Sequence, residues 1–281
     1  MRKYLNIRAS VRSTCSALIK SAVLLSFTLA VSAACNHTRG DDFLIGASPG
    51  LEIEQRESML LPIARLLENT TGVKFRYIPP KHWPGYMEDM RNSKYSLLLD
   101  EPHLASWRLE NLAHVPIVRL PGNMSFVIAA RKRDEDIVAL ADIAGHVVCA
   151  GAPPALDGLI LFEQFDNPSR QPQLLPTSGF QEAYGYLVQG RCRAAVLRRA
   201  DYEAGSHGGD ALRILYLSET FPNWTLSADS RISETLLDRI RQALLDPAGT
   251  GELVPGGRLL PANAADYSGL GRLLDNFWGL R

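Results

Sequence analysis

Short apolar runs alternate along this chain with segments whose hydrophobic residues recur at helical spacing. Phe43 to Ala47 (FLIGA) reads as an apolar strand, ended by the turn Ser48-Pro49-Gly50. Residues 57 to 69 then place Leu60, Ile63, Ala64 and Leu67 on one helical face. A strand follows at Val73 to Ile78, closed by Pro79-Pro80, then a helix from Trp83 to Met90 and a buried strand from Tyr95 to Leu99. Asp100-Glu101-Pro102-His103 leads into a short helix through Trp107. Val115 to Leu120 and Phe126 to Ala130 read as strands flanking Pro121-Gly122-Asn123.

The second half repeats the alternation. Helices are predicted at Ile137 to Ile143, Leu156 to Phe165 and Phe180 to Val188, with strands at Val147 to Ala150, Leu174-Leu175, Ala194 to Leu197 and Leu212 to Leu217. A short helix follows Arg198 and Arg199, and Phe221-Pro222-Asn223-Trp224 breaks the last of these strands. Ser233 caps a helix through Leu245 with Leu236, Leu237, Ile240, Ala243 and Leu244 on one face, and a last helix covers Tyr267 to Phe277. This order predicts an α/β fold of mostly parallel sheets flanked by helices, arranged in two lobes.

The first 34 residues do not fit that pattern. Arg2, Lys3, Arg8, Arg12 and Lys20 form a basic stretch without an acid, and Ser21 to Ala34 is apolar but too short to span a membrane, so residues 1–34 read as a signal peptide. Cys35 follows at once and resembles the lipidated cysteine of a bacterial lipobox, although Ser32 stands where Leu is commonest. Residues 35–42 would be a tether. A lipid anchor is expected, with a soluble secreted form as the alternative.

Removing the five positive charges of residues 1–34 from a balance of 30 basic and 30 acidic residues leaves 25 against 30, a net charge of −5. With no basic stripe interleaved with aromatics, nucleic acid is not an expected partner. Cys149 and Cys192 are the only thiols in the predicted folded part. If their strands are parallel neighbours, the two sulfurs sit toward opposite ends, so they are expected as two small buried hydrophobes, with a disulfide as the other possibility.

The order of elements resembles the phosphate/phosphite/phosphonate-type substrate-binding proteins of ABC importers, which have the type II periplasmic-binding-protein fold. The resemblance is carried by the opening strand FLIGA, by Leu67 to Lys74 (LENTTGVK) and by Ser96 to Leu99 before a Pro-containing loop. Leu140 to Gly145 (LADIAG), Gln189-Gly190-Arg191 before Ala194 to Val196, and Asp246 to Gly249 (DPAG) extend it. It implies lobe one at residues 43–121 plus 224–281, lobe two at 122–223, and hinges at Leu120–Ser125 and Glu219–Trp224. A solute would be held between the lobes by hinge closure and passed to a permease in the inner membrane. The protein would be periplasmic or at the cell surface, monomeric, and without a cofactor. A ligand-sensing or partner-binding lipoprotein uncoupled from import is the alternative.

The family's anion loop has the sense Gly-x-Pro-Gly-Ser-Thr-Ser-Gly. Here the corresponding residues are Gly151, Pro153, Pro154, Ala155, Leu156, Asp157 and Gly158. Three hydroxyls are replaced by Ala155, Leu156 and Asp157, and Pro154 has no N–H to donate. A dianion beside Asp157 would meet like charge, so the resemblance implies an altered anion loop; Asp157 also reads as an ordinary N-cap. Trp83 falls where the family places a ligand-covering Tyr, and Phe180 replaces a family His.

Asp100, Glu101 and His103 follow a buried strand and are expected to face the cleft, as organic-ligand contacts or as a solvated loop; no partner set for a metal is evident. Arg198 and Arg199 end another strand, where one fork could grip a carboxylate. Ser48 and Ser125 sit on cleft-side loops as hydrogen-bond donors. Acids near residue 100 and arginines near 198 suit a zwitterionic or polar organic solute. No Gly-x-Ser-x-Gly, phosphate-binding lysine loop or His-Glu-x-x-His occurs, and His146 and Cys149, three apart on a strand, point to opposite faces, so catalysis is not expected.

Overall fold

The computed structural model describes residues 42–80, 82–205, 211–250, 253–254 and 257–275. The expected signal peptide, Cys35 and nearly all of the tether lie outside the described residues. β1 (Phe43–Ala47) pairs in parallel with β2 (Phe75–Tyr77) and β3 (Leu97–Asp100). The connections are α1 (Ile53–Thr71) and α2 (Trp83–Arg91), and α3 (Pro102–Asn111) leads to β4 (Val115–Arg119). In α1 the buried residues Leu60, Ile63, Ala64 and Leu67 form the stripe that the sequence pattern predicts, and Met59 is buried beside them. Gly72 ends the helix in a left-handed conformation, its N–H donating to the Glu68 carbonyl.

Through β5 (Asn123–Met124) the chain passes to a second sheet of β6 (Phe126–Arg131), β7 (Val147–Ala150), β8 (Gln173–Pro176), β9 (Ala194–Arg198) and β10 (Leu212–Leu217). Helices α4 (Leu156–Glu163), α5 (Phe180–Gln189) and α6 (Arg199–Gly205) connect these strands. β11 (Phe221–Pro222) carries the chain back beside β5, with Met124 opposite Phe221. β12 (Thr225–Ala228) then inserts antiparallel between β3 and β4, and α7 (Glu234–Leu245), α8 (Pro247–Thr250) and β13 (Leu260–Pro261) follow.

The first sheet therefore has the order β13-β4-β12-β3-β1-β2 and the second β10-β6-β9-β7-β8. Strand alternation sorts the second sheet's side chains. Val127, Ala129, Ala195 and Leu197 pack into a cluster with Ala183 and Leu187 of α5, while Phe126, Ile128, Ala130 and Val196 join the main core.

Three expectations are corrected. Cys149 and Cys192 are disulfide-bonded, with Cα atoms 5.9 Å apart, inside the usual bridging range. Cys149 pairs in register with Ala195, so three residues of extended chain would leave Cys192 about 10 Å away along the strand. A bend at residues 191–193, just after the left-handed Gly190, folds Cys192 back under β7 instead.

The predicted helix at Ile137 to Ile143 is a turn and a 3₁₀ segment (Leu140–Ile143). The Asp142 carboxylate accepts the N–H groups of Val138 and Ala139, which competes with helical bonding. The last predicted helix is likewise two 3₁₀ segments, Ala264–Tyr267 and Leu270–Leu274, interrupted at Gly269 with φ 74°. Among the described residues no helix is long and apolar enough to cross a membrane, and no group of three or more His, Cys, Asp or Glu could hold a metal ion.

Candidate functional site

The ends of the two sheets face one another across a cavity of about 230 Å³. From the first sheet, the turn after β1, the start of α1, Trp83 and Glu101 wall it. From the second come the loop before α4, the Thr177–Phe180 turn and Arg198. This is where an α/β sheet places a ligand, beyond the carboxyl ends of its parallel strands and beside helix N-termini.

The loop between β7 and α4 is closed upon itself. Asp157, in the first turn of α4, accepts the Gly151 N–H at 2.6 Å, and the backbone N–H groups at the start of the helix also favour its carboxylate electrostatically. Burial raises its pKa against the pull of these donors and of the Arg198 charge. The packing is tight enough that a Cβ on Gly158 would come within 2.2 Å of the Gly151 carbonyl oxygen. The carboxylate thus occupies the Gly151 N–H from within the loop.

Glu101 crosses to this loop. Its Oε1 accepts the Leu156 N–H at 3.4 Å, its Oε2 is buried without a partner, and the residue is 7% exposed. Burial pushes its carboxyl up to about 8, the Asp157 charge adds to the rise, and the Leu156 N–H and Arg198 oppose it. His103 makes a second bridge between the sheets. Its Nε2 lies 2.8 Å from the Pro154 carbonyl, which can only accept, so Nε2 carries the proton. Burial holds this imidazole down to about 4.

Five of the predicted residues therefore come together around the cavity: Trp83, Glu101, Ala155, Asp157 and Arg198. The Arg198 guanidinium lies 5.0 Å from the Phe180 ring centroid, and its Nε is buried without a partner. The other five do not line the cavity. Asp100 points the opposite way from Glu101, as neighbours on an extended strand do. It is fully buried in an ion pair with Arg108 and a hydrogen bond from the Tyr86 hydroxyl.

His103 is fully buried behind the cavity wall, as is Ser48, whose hydroxyl has no partner. Ser125 contributes its carbonyl to the Arg199 N–H, and Arg199 turns out to an exposed pair with Glu203.

Sequence reasoning missed Glu52, Arg56 and Thr177. Arg56 had a readable signal, because it extends the apolar stripe of α1 one turn before Met59 and Leu60, and is only 5% exposed. Glu52 reaches toward Gly179, where a Cβ would come within 2.5 Å of its Oε1. No sequence pattern marks that approach.

Two sheets joined by a crossing strand pair, with a cavity between their ends, define a two-lobed fold of the periplasmic-binding-protein type. The family model for the phosphonate-type periplasmic substrate-binding protein of ABC transporters matches residues 45–268. The chain belongs to that family. Among solved structures it is similar to PhnD1 from Prochlorococcus marinus in complex with methylphosphonate, at 13% identity and a TM-score of 0.66, covering 83% of this chain and 97% of that one.

A second similar structure is XAC2383 from Xanthomonas citri bound to ATP, at 14% identity and a TM-score of 0.65, covering 83% and 97%. A third is a binding-protein component of an ABC phosphonate transporter from Pseudomonas aeruginosa, at 13% identity and a TM-score of 0.61, covering 78% and 81%. At these identities the likeness is one of fold. No curated protein sequence matches the chain significantly.

Proposed function

We propose that this chain is an exported solute-binding lipoprotein, anchored through Cys35, that closes on a small polar solute and delivers it as a monomer to an ABC permease. Lobe one comprises residues 43–121 plus 224–281 and lobe two residues 122–223, with closure about the β5–β11 pair. The observation that carries this reading is the cavity walled by the strand ends of both sheets and bridged by Glu101 to Leu156. Its volume, below the usual range for drug-sized ligands, suits a small solute.

The anion loop of this family member is altered. The Asp157 carboxylate already engages the Gly151 N–H, and a dianion placed there would displace it or meet its charge. Recognition by this loop of a phosphonate is therefore not part of the proposal.

Thermal unfolding of the full chain against phosphate, phosphite, phosphonates, amino acids, betaines and sugars tests the reading. A ligand at 100 times its dissociation constant adds about 2.7 kcal/mol. A shift with one solute class supports it. Silence across the panel would sink it in favour of a sensor or partner-binding lipoprotein.

A further inference from the structure

We infer that Arg56 is the anion-binding residue of this cleft, so that the solute is a small carboxylate zwitterion lying with its carboxylate on α1 and its ammonium toward Glu101. The inference rests on the solute-binding reading above and adds the subsite, the orientation and the ligand class.

Arg56 lines the cavity from the first turns of α1 and is 5% exposed, yet its Nε and Nη1 are buried without a hydrogen-bond partner. It makes no ion pair among the described residues. A guanidinium taken out of water without an ion-pair partner loses hydration that nothing replaces, and its place near a helix N-terminus, where the dipole already disfavours a cation, adds to that penalty. An arriving carboxylate would relieve both, through a planar array of donors that suits its geometry. The neighbouring Thr177 hydroxyl, also buried and unpartnered, is a further donor on the same cavity.

The opposite need stands at Glu101. Its Oε2 is buried in the same cavity without a donor. An ammonium supplies one as it displaces the proton that Glu101 holds in the empty cavity, between the aromatic walls of Trp83 and Phe180. Charge decides between ligand classes. The titratable side chains lining the cavity are Glu52, Arg56, Glu101, Asp157 and Arg198, three acids and two cations once an arriving ammonium has displaced the proton that Glu101 holds in the empty cavity. A dianion adds repulsion to this set, whereas a zwitterion leaves its balance unchanged and satisfies one orphaned group at each end.

The test is calorimetric titration of the full chain, purified in detergent, with glycine, L-alanine, L-serine, β-alanine, glycine betaine, methylphosphonate and 2-aminoethylphosphonate. Wild type, Arg56→Gln and Arg56→Lys are compared, and unfolding without ligand verifies that each variant folds. At least one carboxylate zwitterion is expected to bind wild type, on the order of 100-fold more weakly to Arg56→Gln, with Arg56→Lys between them.

Zwitterion binding that Arg56→Gln leaves within threefold overturns the subsite. So does 2-aminoethylphosphonate binding more tightly than β-alanine, or the absence of any amino-acid binding, glycine betaine having no N–H to give Glu101. If either phosphonate or a sugar still stabilises the protein, the solute-binding reading stands while this inference falls. Only a chain that responds to no solute removes both.

Discussion

The Asp157 carboxylate folds back onto its own loop and accepts the Gly151 N–H at 2.6 Å. A loop that could cradle an external oxyanion therefore carries an internal one. Replacing Asp157 with Ser restores a hydroxyl at that position and frees the Gly151 donor. Asp157→Ser is expected to bind methylphosphonate more tightly than wild type in a calorimetric titration, while losing about 1 kcal/mol of unliganded stability with its hydrogen bonds. A variant that folds and gains no phosphonate affinity would show that the loop is not limited by this carboxylate.

Glu101 and His103 give the protein opposite pH dependences. The Glu101 carboxyl is raised from 4.5 to about 8 by burial and by Asp157, so the folded state holds a proton that the unfolded chain has released. Its contribution is fully present below pH 4.5 and is lost as pH rises through about 8. Asp157 and Arg198 are the charged groups that act on it, and Arg56 and Glu52 share its cavity. His103, lowered to about 4 by burial, contributes stability above pH 6.5 that is lost as pH falls toward 4. Glu101→Gln should flatten the decline of stability between pH 4.5 and 8 in chemical denaturation. An unchanged slope would mean that Glu101 is ionised in the folded protein.

Much of the fold was legible because its elements follow their periods. The strands β1, β7 and β9 are short apolar runs, and α1 and α7 carry clear stripes. β12 was not legible. Its residues Thr225, Leu226, Ser227 and Ala228 are all buried, yet only the partners on either side, β3 and β4, make that segment a strand. The candidate site was half legible. Asp100 and Glu101 look alike as adjacent acids, and only the strand's alternation sends one to Arg108 and the other to the cavity. Arg56 was missed because the sequence pattern started the helix at residue 57, whereas α1 begins at Ile53 and carries Arg56 in its first turns.

Arg108 and Asp100 form a fully buried ion pair, with Arg108 also donating to the Ser227 hydroxyl at 2.9 Å. Burial lowers the Arg108 pKa to about 10. Removing one partner strands the other, so Arg108→Met is expected to cost about 3–5 kcal/mol in urea denaturation. The double variant Asp100→Asn/Arg108→Met should recover a large part of that loss. Equal losses in the single and double variants would contradict a coupled pair.

The Cys149–Cys192 bridge spans a sequence separation of 43 residues and lies behind the second sheet, against α5. Chain-entropy reasoning gives it a contribution of about 4 kcal/mol, with measured losses of native bridges commonly near 2–5 kcal/mol. Reduction under denaturing conditions and refolding in reductant should lower stability by that order. A thiol count showing both cysteines free in the native oxidised protein would contradict the bond.

Trp83 offers the most direct test of the central claim, that solute enters the cavity between the two sheets. It lines that cavity, whereas Trp107 and Trp224, the other tryptophans among the described residues, are buried elsewhere. Any solute that raises the unfolding temperature should also change tryptophan fluorescence in wild type. Trp83→Phe should abolish the optical change while calorimetry still detects solute uptake. An identical fluorescence response in Trp83→Phe would place the binding event outside this cavity and contradict the account.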